Sequence, residues 1–486
     1  MQWCAKEFCR LLCKQMKTKN IYLFSISLSI LLLSIFLISG LDPLFTSDSA
    51  AYLLNARELY IPMERPIFYS AFIAGIRELS QWIHPPQLFE IWGIQLLLIS
   101  LGISLFIRRC FPDMPLSMVL VVLIFIGFLS PLPWFIPQLM PDIFTPILFL
   151  YACLFLMRKN TKEAYWFGCI TLLCAVMHNS NLMILSLFSA GLFILYLLWK
   201  RKLTSQKFKD LSTIKPPQWM PFGPALKQLM LLSLLPWAVV IGSNIWVGNG
   251  FTVGKGSHVF FMGKLCENGI LKKYLDEHCA AKPSPLCAFK DNLPEHTWDF
   301  VWDDDGILEK TGGWHHSNIE YNKIIMGTLA SPKYLFLHVL ASAKASVHQL
   351  LLTHAGDGIE RLDTGGTLAK ELKTQFPHDY QRFITNNTQQ KMGYNFNFYN
   401  QVYDWSTVII LSVALLIILT NPTETVSVFF WVTFLFVLCN AFATATFANV
   451  LSRLNARDIW LLPMMGLLLI LHHILERIQK KKVKQT

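Results

Sequence analysis

Charged side chains are scarce in this sequence of 486 residues: 15% are charged and 53% are hydrophobic. Soluble globular domains carry about 25% charged residues, so this composition excludes a soluble multidomain enzyme and indicates a polytopic membrane protein. A lipid-exposed backbone must satisfy its own hydrogen bonds, and the apolar runs have about the length of a spanning helix. We therefore expect an all-α fold.

Recognisable metal and redox motifs are also missing. The 11 cysteines form no CxxC pair, and no His/Cys group has the spacing of a zinc site. We expect no thiolate metal site, and the sequence leaves a requirement for a divalent cation open. It shows no internal repeat, which disfavours the inverted-repeat architecture of secondary transporters.

The apolar runs predict about ten transmembrane helices. The run at 165–177 is short for a bilayer, so we expect its helix to extend into the flanking residues or to tilt. A further run at 66–83 contains Arg77 and Glu78 and is predicted to lie at the membrane surface. The predicted spans are residues 21–41, 86–107, 114–132, 141–157, 165–177, 182–199, 228–247, 405–420, 426–447 and 459–472.

Lysine and arginine are concentrated in alternate connections, which predicts the orientation. Cytoplasmic loops keep an excess of these residues, and with ten spans both basic tails and the 108–109, 158–162 and 200–227 connections fall on one side. Both termini are therefore predicted to be cytoplasmic, in a bacterial inner membrane. This distribution explains the formal net charge of +11 and gives no support to a nucleic-acid partner.

The opposite face receives a loop at 42–85 and a region from 248 to 403, which is long enough for a mainly helical domain. Within it, 297–316 is predicted to be a loop whose tryptophans and acids suit sugar binding; indole anchoring at the membrane interface explains the tryptophans equally well. Cys279 and Cys287 are the favoured disulfide, with reduced cysteines as the alternative. The predicted organisation is a basic tail (1–20), a transmembrane core (21–247), an extracytoplasmic domain (248–403), C-terminal transmembrane helices (404–475) and a second basic tail (476–486).

The 42–85 loop concentrates ionisable residues between two apolar blocks, and such a cluster at a membrane edge marks a candidate functional site. Its pattern runs Asp48 and Tyr52, then Arg65-Pro66, then Phe68-Tyr69 before a long apolar stretch. This pattern resembles the first outer loop of GT-C superfamily glycosyltransferases, especially the protein O-mannosyltransferase and lipid A aminoarabinose transferase group. The Pro141-Asp142 pair resembles the same group, and 279–314 resembles an outer domain of bacterial membrane proteins of this type.

The resemblance implies a GT-C-like transferase that takes a sugar from a polyprenyl-phosphate carrier. The sugar passes, with inversion, to a lipid, glycan or protein acceptor on the outer face. Asp48 is implied as the base for the acceptor hydroxyl, and Asp42 is the alternative. The candidate substrate-binding residues, several of them arginines suited to phosphate, are Tyr52, Arg57, Arg65, Asp142, His178, Arg453 and Arg457.

Plainer roles are open for these residues. Asp48 and Asp142 can cap helices, His178 can be a hydrogen-bonded corner residue, and Arg453 and Arg457 can bind the head groups of membrane lipids. For the whole protein, the alternatives are a transporter or flippase of a lipid-linked sugar or other solute, and a non-catalytic membrane assembly protein. Transport predicts ionisable residues inside the spans, where the sequence places few.

Overall fold

The computed structural model describes residues 18–204, 222–391, 393–421 and 425–485. Within these ranges the fold is all-helical and contains no strand, which confirms the predicted all-α class. One isolated parallel bridge joins Leu44 and Gln138. Most of the N-terminal basic tail and of the 200–227 connection lies outside the described residues.

The described residues of the first half of the chain form ten α-helices. They are α1 (Thr18–Ser39), α2 (Ser47–Glu58), α3 (Phe68–Ser80), α4 (Leu88–Cys110), α5 (Leu116–Ile124), α6 (Leu132–Phe135), α7 (Phe144–Leu156), α8 (Thr161–Val176), α9 (Asn179–Thr204) and α10 (Phe222–Trp246). A π-helical turn, Phe125–Leu129, extends α5, and a 3-10 turn, Pro141–Ile143, precedes α7.

The rest of the described chain is also helical. Its helices are α11 (Ser257–Glu267), α12 (Ile270–His278), α13 (Thr297–Trp302), α14 (Ile307–Lys310), α15 (Gly313–His316), α16 (Asn318–Ala330), α17 (Pro332–Leu351), α18 (Thr367–Gln375), α19 (Pro377–Thr385), α20 (Thr388–Lys391), α21 (Asn397–Thr420), α22 (Thr425–Phe447), α23 (Ser452–Ile459) and α24 (Leu461–Gln485).

Among the described residues, seven helices are long and apolar enough to cross a membrane, or eight if α16 and α17, which meet at 92°, form one broken span. These helices indicate a multi-pass membrane protein, but the ten predicted spans are not confirmed. The runs at 114–132, 141–157 and 165–177 form shorter helices. The seven are Asn20–Ser39, Leu88–Cys110, Asn179–Leu198, Pro224–Trp246, Asn397–Thr420, Ser427–Phe447 and Ser452–Lys481.

Helix α7 lies at the centre of the bundle. Every residue from Phe144 to Phe155 is buried. The Phe149 ring contacts Phe106, Phe188 and Phe436, from α4, α9 and α22, at centroid distances of 5.8, 6.1 and 4.9 Å. A helix surrounded by protein in this way is apolar because it is core, and its hydropathy alone does not require it to span the bilayer.

The region 248–403, predicted as one outer domain, contributes to several hydrophobic cores. Residues 259–334 form a separate core, which we call the inserted domain, and a disulfide joins Cys279 and Cys287 at its edge. Helices α18 and α19 instead join the main core, where α18 packs on α2. The stretch 297–316, predicted as a loop, forms the short helices α13 to α15, because Phe300 and Val301 turn inward onto the inserted domain's core.

Candidate functional site

Asp48 lies in the first turn of α2. The helix begins after Thr46, whose amide donates to Oγ of Ser49 at 3.0 Å. Thr46 therefore takes the N-cap position, and the capping role considered for Asp48 is wrong. As the second helical residue, Asp48 places its negative charge where the helix dipole favours one.

The Asp48 carboxylate lies between two guanidinium groups. Oδ1 is 3.2 Å from Nη2 of Arg65, and Oδ2 is 3.1 Å from Nη2 of Arg453. The side chain of Asp48 is 32% exposed, whereas those of Arg65 and Arg453 are 13% and 17% exposed. Burial raises the pKa of the Asp48 carboxyl, but the charges of Arg453 and Arg65 outweigh it and hold the pKa below its usual value. The structure thus brings together three predicted residues from opposite ends of the chain.

Arg65 is held on several sides. Its guanidinium carbon lies 4.8 Å from the centre of the Tyr52 ring, a cation–π contact. Its Nε donates to Oε1 of Glu64 at 3.0 Å. Tyr52 therefore positions Arg65, and Glu64, one of the ionisable residues of the 42–85 loop, is its second carboxylate partner.

The backbone beside Arg65 is tied to the inserted domain and to the bundle. The Gly256 amide donates to the carbonyl of Met63 at 2.9 Å, and Nδ2 of Asn179 donates to the carbonyl of Glu64 at 3.2 Å. A Cβ at Gly256 would lie 2.7 Å from the Trp314 ring. Only glycine allows this close approach.

Arg453 belongs to the first turn of α23. Its amide donates to Oδ2 of Asp357 at 3.0 Å. The Asp357 carboxylate thereby satisfies one of the N–H groups that a helix start leaves unpaired. This contact fixes the start of α23, and with it the position of the Arg453 side chain at Asp48.

A second ion pair is buried deeper in the bundle. Nη1 of Arg457 lies 2.9 Å from Oδ1 of Asp142, and the two side chains are 0% and 1% exposed. Nη2 of Arg457 also donates to Oγ of Ser180 at 3.0 Å and to Oδ1 of Asn440 at 2.8 Å. Such burial excludes head-group binding by Arg457 in this conformation. The pair instead positions the neighbouring side chains that Arg457 contacts.

Ser180 connects this pair to His178. Its amide and its Oγ lie 3.1 and 2.7 Å from Nδ1 of His178. Because Oγ accepts from Arg457, its own proton is directed to Nδ1, which places the imidazole proton on Nε2. Burial, followed by the charges of Arg457 and Arg453, lowers the pKa of His178 to about 4. His178 is therefore a neutral hydrogen-bond donor near pH 7.

Acid is expected to destabilise the wild-type protein more steeply than the His178→Asn variant. The imidazole titrates near 6.5 when unfolded and near 4 when folded, so the unfolded chain binds more protons between these values. Stability from neutral His178 is therefore lost as the pH falls through 6.5 towards 4, with little further loss below. Detergent-induced unfolding followed by tryptophan fluorescence at pH 7, 5.5 and 4.5 measures the slopes; equal slopes would contradict the assignment.

Five of the predicted residues line a cavity of about 560 Å³ between the bundle and the inserted domain, which we call the central cavity: Asp48, Tyr52, Arg65, His178 and Arg453. Asp48, Arg65 and Arg453 give it charge, and His178 gives it a neutral donor. Trp298 and Trp302, 56% and 41% exposed, contribute aromatic rings from the 297–316 stretch. The other lining residues include Tyr52, Glu64, Asn179, Ser180, Trp237, His258, Phe260, Phe261, Asn322, Thr444, Phe447 and Asn449.

Four predicted candidates do not line this cavity, namely the buried pair Asp142 and Arg457 and the two loop residues Arg57 and Asp42. Arg57 pairs with Glu58 and with Glu371 of α18, each at 3.1 Å. Asp42 pairs with Arg382 of α19, and burial raises the pKa of its carboxyl despite the charge of Arg382. Both residues attach the loop to α18 and α19, so their positions do not support phosphate binding by Arg57 or proton transfer by Asp42.

Asn440 and Asp357 are supporting residues that the sequence analysis missed. Asn440 could have been predicted from the sequence, since an amide side chain inside an apolar helix needs a polar partner. Asp357 lies in an irregular segment, and no sequence pattern marks it. Within the described residues, no group of three or more His, Cys, Asp or Glu side chains is placed to hold a metal ion.

Comparison of the chain with known protein families, with curated proteins and with solved structures gives no match. The resemblance to GT-C transferases therefore rests on the short sequence motifs of the 42–85 loop and on the Pro141-Asp142 pair. What the site can do follows from its own geometry, a carboxylate held between two guanidinium groups in a cavity lined partly by tryptophan.

Proposed function

We propose that this protein is an integral-membrane glycosyltransferase that moves a sugar from a polyprenyl-phosphate carrier to an acceptor hydroxyl. The observation that carries the proposal is the Asp48 carboxylate between Arg65 and Arg453 in the central cavity. Displacing a phosphate by a hydroxyl needs a proton acceptor and cations for the leaving group, and these three side chains supply both. The exposed faces of Trp298 and Trp302 suit the C–H surface of a sugar.

Donor binding changes the partners of Asp48. In the free protein its two oxygens occupy one Nη group of each arginine. A donor phosphate competes for the same groups, because guanidinium binds phosphate strongly. Asp48 then loses the charges that lower its pKa and becomes a better proton acceptor. The base is thus activated only when the donor is in place, which favours donor binding before the acceptor reacts.

The transfer is a single displacement. The acceptor oxygen attacks the anomeric carbon while Asp48 takes the hydroxyl proton. The bond between the anomeric carbon and the phosphate oxygen breaks, its electron pair leaves with the phosphate, and Arg65 and Arg453 stabilise that charge. One displacement inverts the anomeric centre. His178, with its proton on Nε2, can donate to a sugar hydroxyl or phosphate oxygen.

The proposal includes a location. The distribution of lysine and arginine supports a bacterial inner-membrane protein with cytoplasmic termini and with the central cavity on the extracytoplasmic side. The acceptor is then a lipid, glycan or protein of the cell envelope.

Arg65→Lys is expected to raise the KM for the lipid-linked donor at least about tenfold while the protein folds normally. Lysine keeps the charge but loses bidentate contact with phosphate and the planar contact with Tyr52. Initial rates in membranes supplied with labelled polyprenyl-phosphate sugar measure the effect. Arg57→Lys, the same change outside the cavity, is the matched control. An unchanged donor KM and rate in Arg65→Lys would count against the phosphate role.

A transporter or flippase of a lipid-linked sugar or other solute is the second candidate. The observation that favours it is the buried Arg457–Asp142 pair, since the last candidate span, Ser452–Lys481, contains ionisable residues that the sequence analysis placed outside the spans. Proteoliposomes separate the two functions. Labelled sugar covalently attached to an acceptor supports transfer, whereas unmodified lipid-linked sugar moved across the bilayer supports transport. If neither transfer nor transport is detected, the result favours a non-catalytic assembly protein.

A further inference from the structure

A second cavity, of about 720 Å³, adjoins the central cavity, and we call it the side cavity. The two share Phe261, Leu329 and Phe447 as lining residues. The Phe261 ring stacks on Phe447 at 6.4 Å and on His338 at 5.6 Å. Phe261 and Phe447 line both cavities, so this row of stacked rings lies at their shared boundary.

Most of the side cavity is apolar. Helix α17 contributes one stripe along its length, including Val339, Ala343 and Val347, and α22 contributes Leu438 and Phe442. Helices α9 and α22, which both line it, are candidate membrane spans. A molecule in this cavity therefore lies beside the lipid, and the lining suits a hydrocarbon chain.

Among the described residues that line this apolar space, one carries a charged side chain. Lys264 is 4% exposed, and its ammonium lies 3.3 Å from Oε2 of Glu267. That oxygen also accepts from the amide and the hydroxyl of Thr297. The ammonium makes no hydrogen bond of good geometry within the described residues. The ammonium has three N–H donors, and at most one can point at Glu267. The others are left without a partner, and burying unpaired donors costs free energy.

We propose that the side cavity binds an acidic membrane phospholipid, with the head-group phosphate at Lys264 and an acyl chain along α17 and α22. Charge complementarity selects this occupant. The phosphate oxygens supply the acceptors that Lys264 lacks, and the chain covers the apolar stripe. The site does not include Asp48, and its occupation does not depend on the proposed transfer reaction.

The test uses the purified full chain in detergent, titrated with phosphatidylglycerol or with phosphatidylcholine of the same acyl chains. Native mass spectrometry counts the bound lipid. The wild-type protein is expected to prefer phosphatidylglycerol at least about tenfold, the scale of a charge-assisted hydrogen bond. Lys264→Met keeps the apolar stem and is expected to remove this preference, while Lys264→Arg is expected to retain it. Lys344→Met, the same change at an exposed position of α17, is the matched control and should bind as the wild type does.

Two further measurements locate the lipid. Ala343→Phe fills the side cavity and keeps Lys264, so it is expected to weaken binding of both lipids. Inorganic phosphate at millimolar concentration is expected not to displace phosphatidylglycerol, because it lacks the chain. Equal binding of the two lipids by the wild type, or an unchanged preference in Lys264→Met, would overturn the proposal. So would full binding by Ala343→Phe, and displacement by phosphate would identify a free anion as the ligand instead.

Discussion

Replacing Asp48 with asparagine is expected to lower the rate of sugar transfer at least about a hundredfold, since a positioned general base contributes about 10²–10⁴. Asparagine keeps the size of the side chain and accepts a hydrogen bond, but it cannot take the acceptor proton. The donor KM should stay level or fall, because Arg65 and Arg453 no longer have to leave a carboxylate to bind phosphate. Single-turnover transfer from labelled polyprenyl-phosphate sugar measures the rate.

Two other carboxylates provide the comparison. Glu58→Gln removes a carboxylate from the same helix at a position that is 49% exposed and outside the central cavity, so transfer should be unaffected. Asp42→Asn tests the alternative base. Transfer that is lost in Asp42→Asn, with normal protein level, but kept in Asp48→Asn and Asp48→Ala would reverse the assignment.

The helical class followed from the sequence, whereas the number of spans did not. Membrane composition permits few backbone arrangements, so long apolar runs predict helices reliably. Hydropathy reports only that a segment avoids water. It cannot distinguish a helix such as α7, which is enclosed by other helices, from one that crosses lipid. The shorter apolar helices α5 and α8 stay predicted spans that the structure does not confirm.

The site was predictable where its residues are near in sequence. Asp48 and Arg65 are 17 residues apart, and their shared loop singled them out. The contact between Asp48 and Arg453 joins residues 405 positions apart, which no local pattern encodes. Arg57 shares the loop with Arg65 but lies in the last turn of α2, which turns its side chain to Glu371. Proximity in sequence therefore identified Arg65, which does contact Asp48, together with Arg57, which contacts Glu371 instead.

Asp142→Asn is expected to lower the free energy of unfolding by about 3–5 kcal/mol, because removing one partner leaves the buried charge of Arg457 uncompensated. The amide cannot replace the ion pair at 2.9 Å in a site that excludes water. Unfolding by SDS in mixed micelles measures the change. Glu58→Gln, which breaks an exposed pair, should cost only about 0–1 kcal/mol.

A double-mutant cycle decides whether the loss comes from the pair itself. Arg457→Met removes the charge and keeps an apolar side chain, so Asp142→Asn with Arg457→Met removes both charges of the pair. The double variant should be more stable than the sum of the single losses predicts, by about 0.5–3 kcal/mol. It should still transfer sugar poorly, because Ser180 and Asn440 lose the Arg457 contacts that position His178 and α22. If the losses in the free energy of unfolding are strictly additive, the two charges do not stabilise each other. That result would contradict the structural role of the pair.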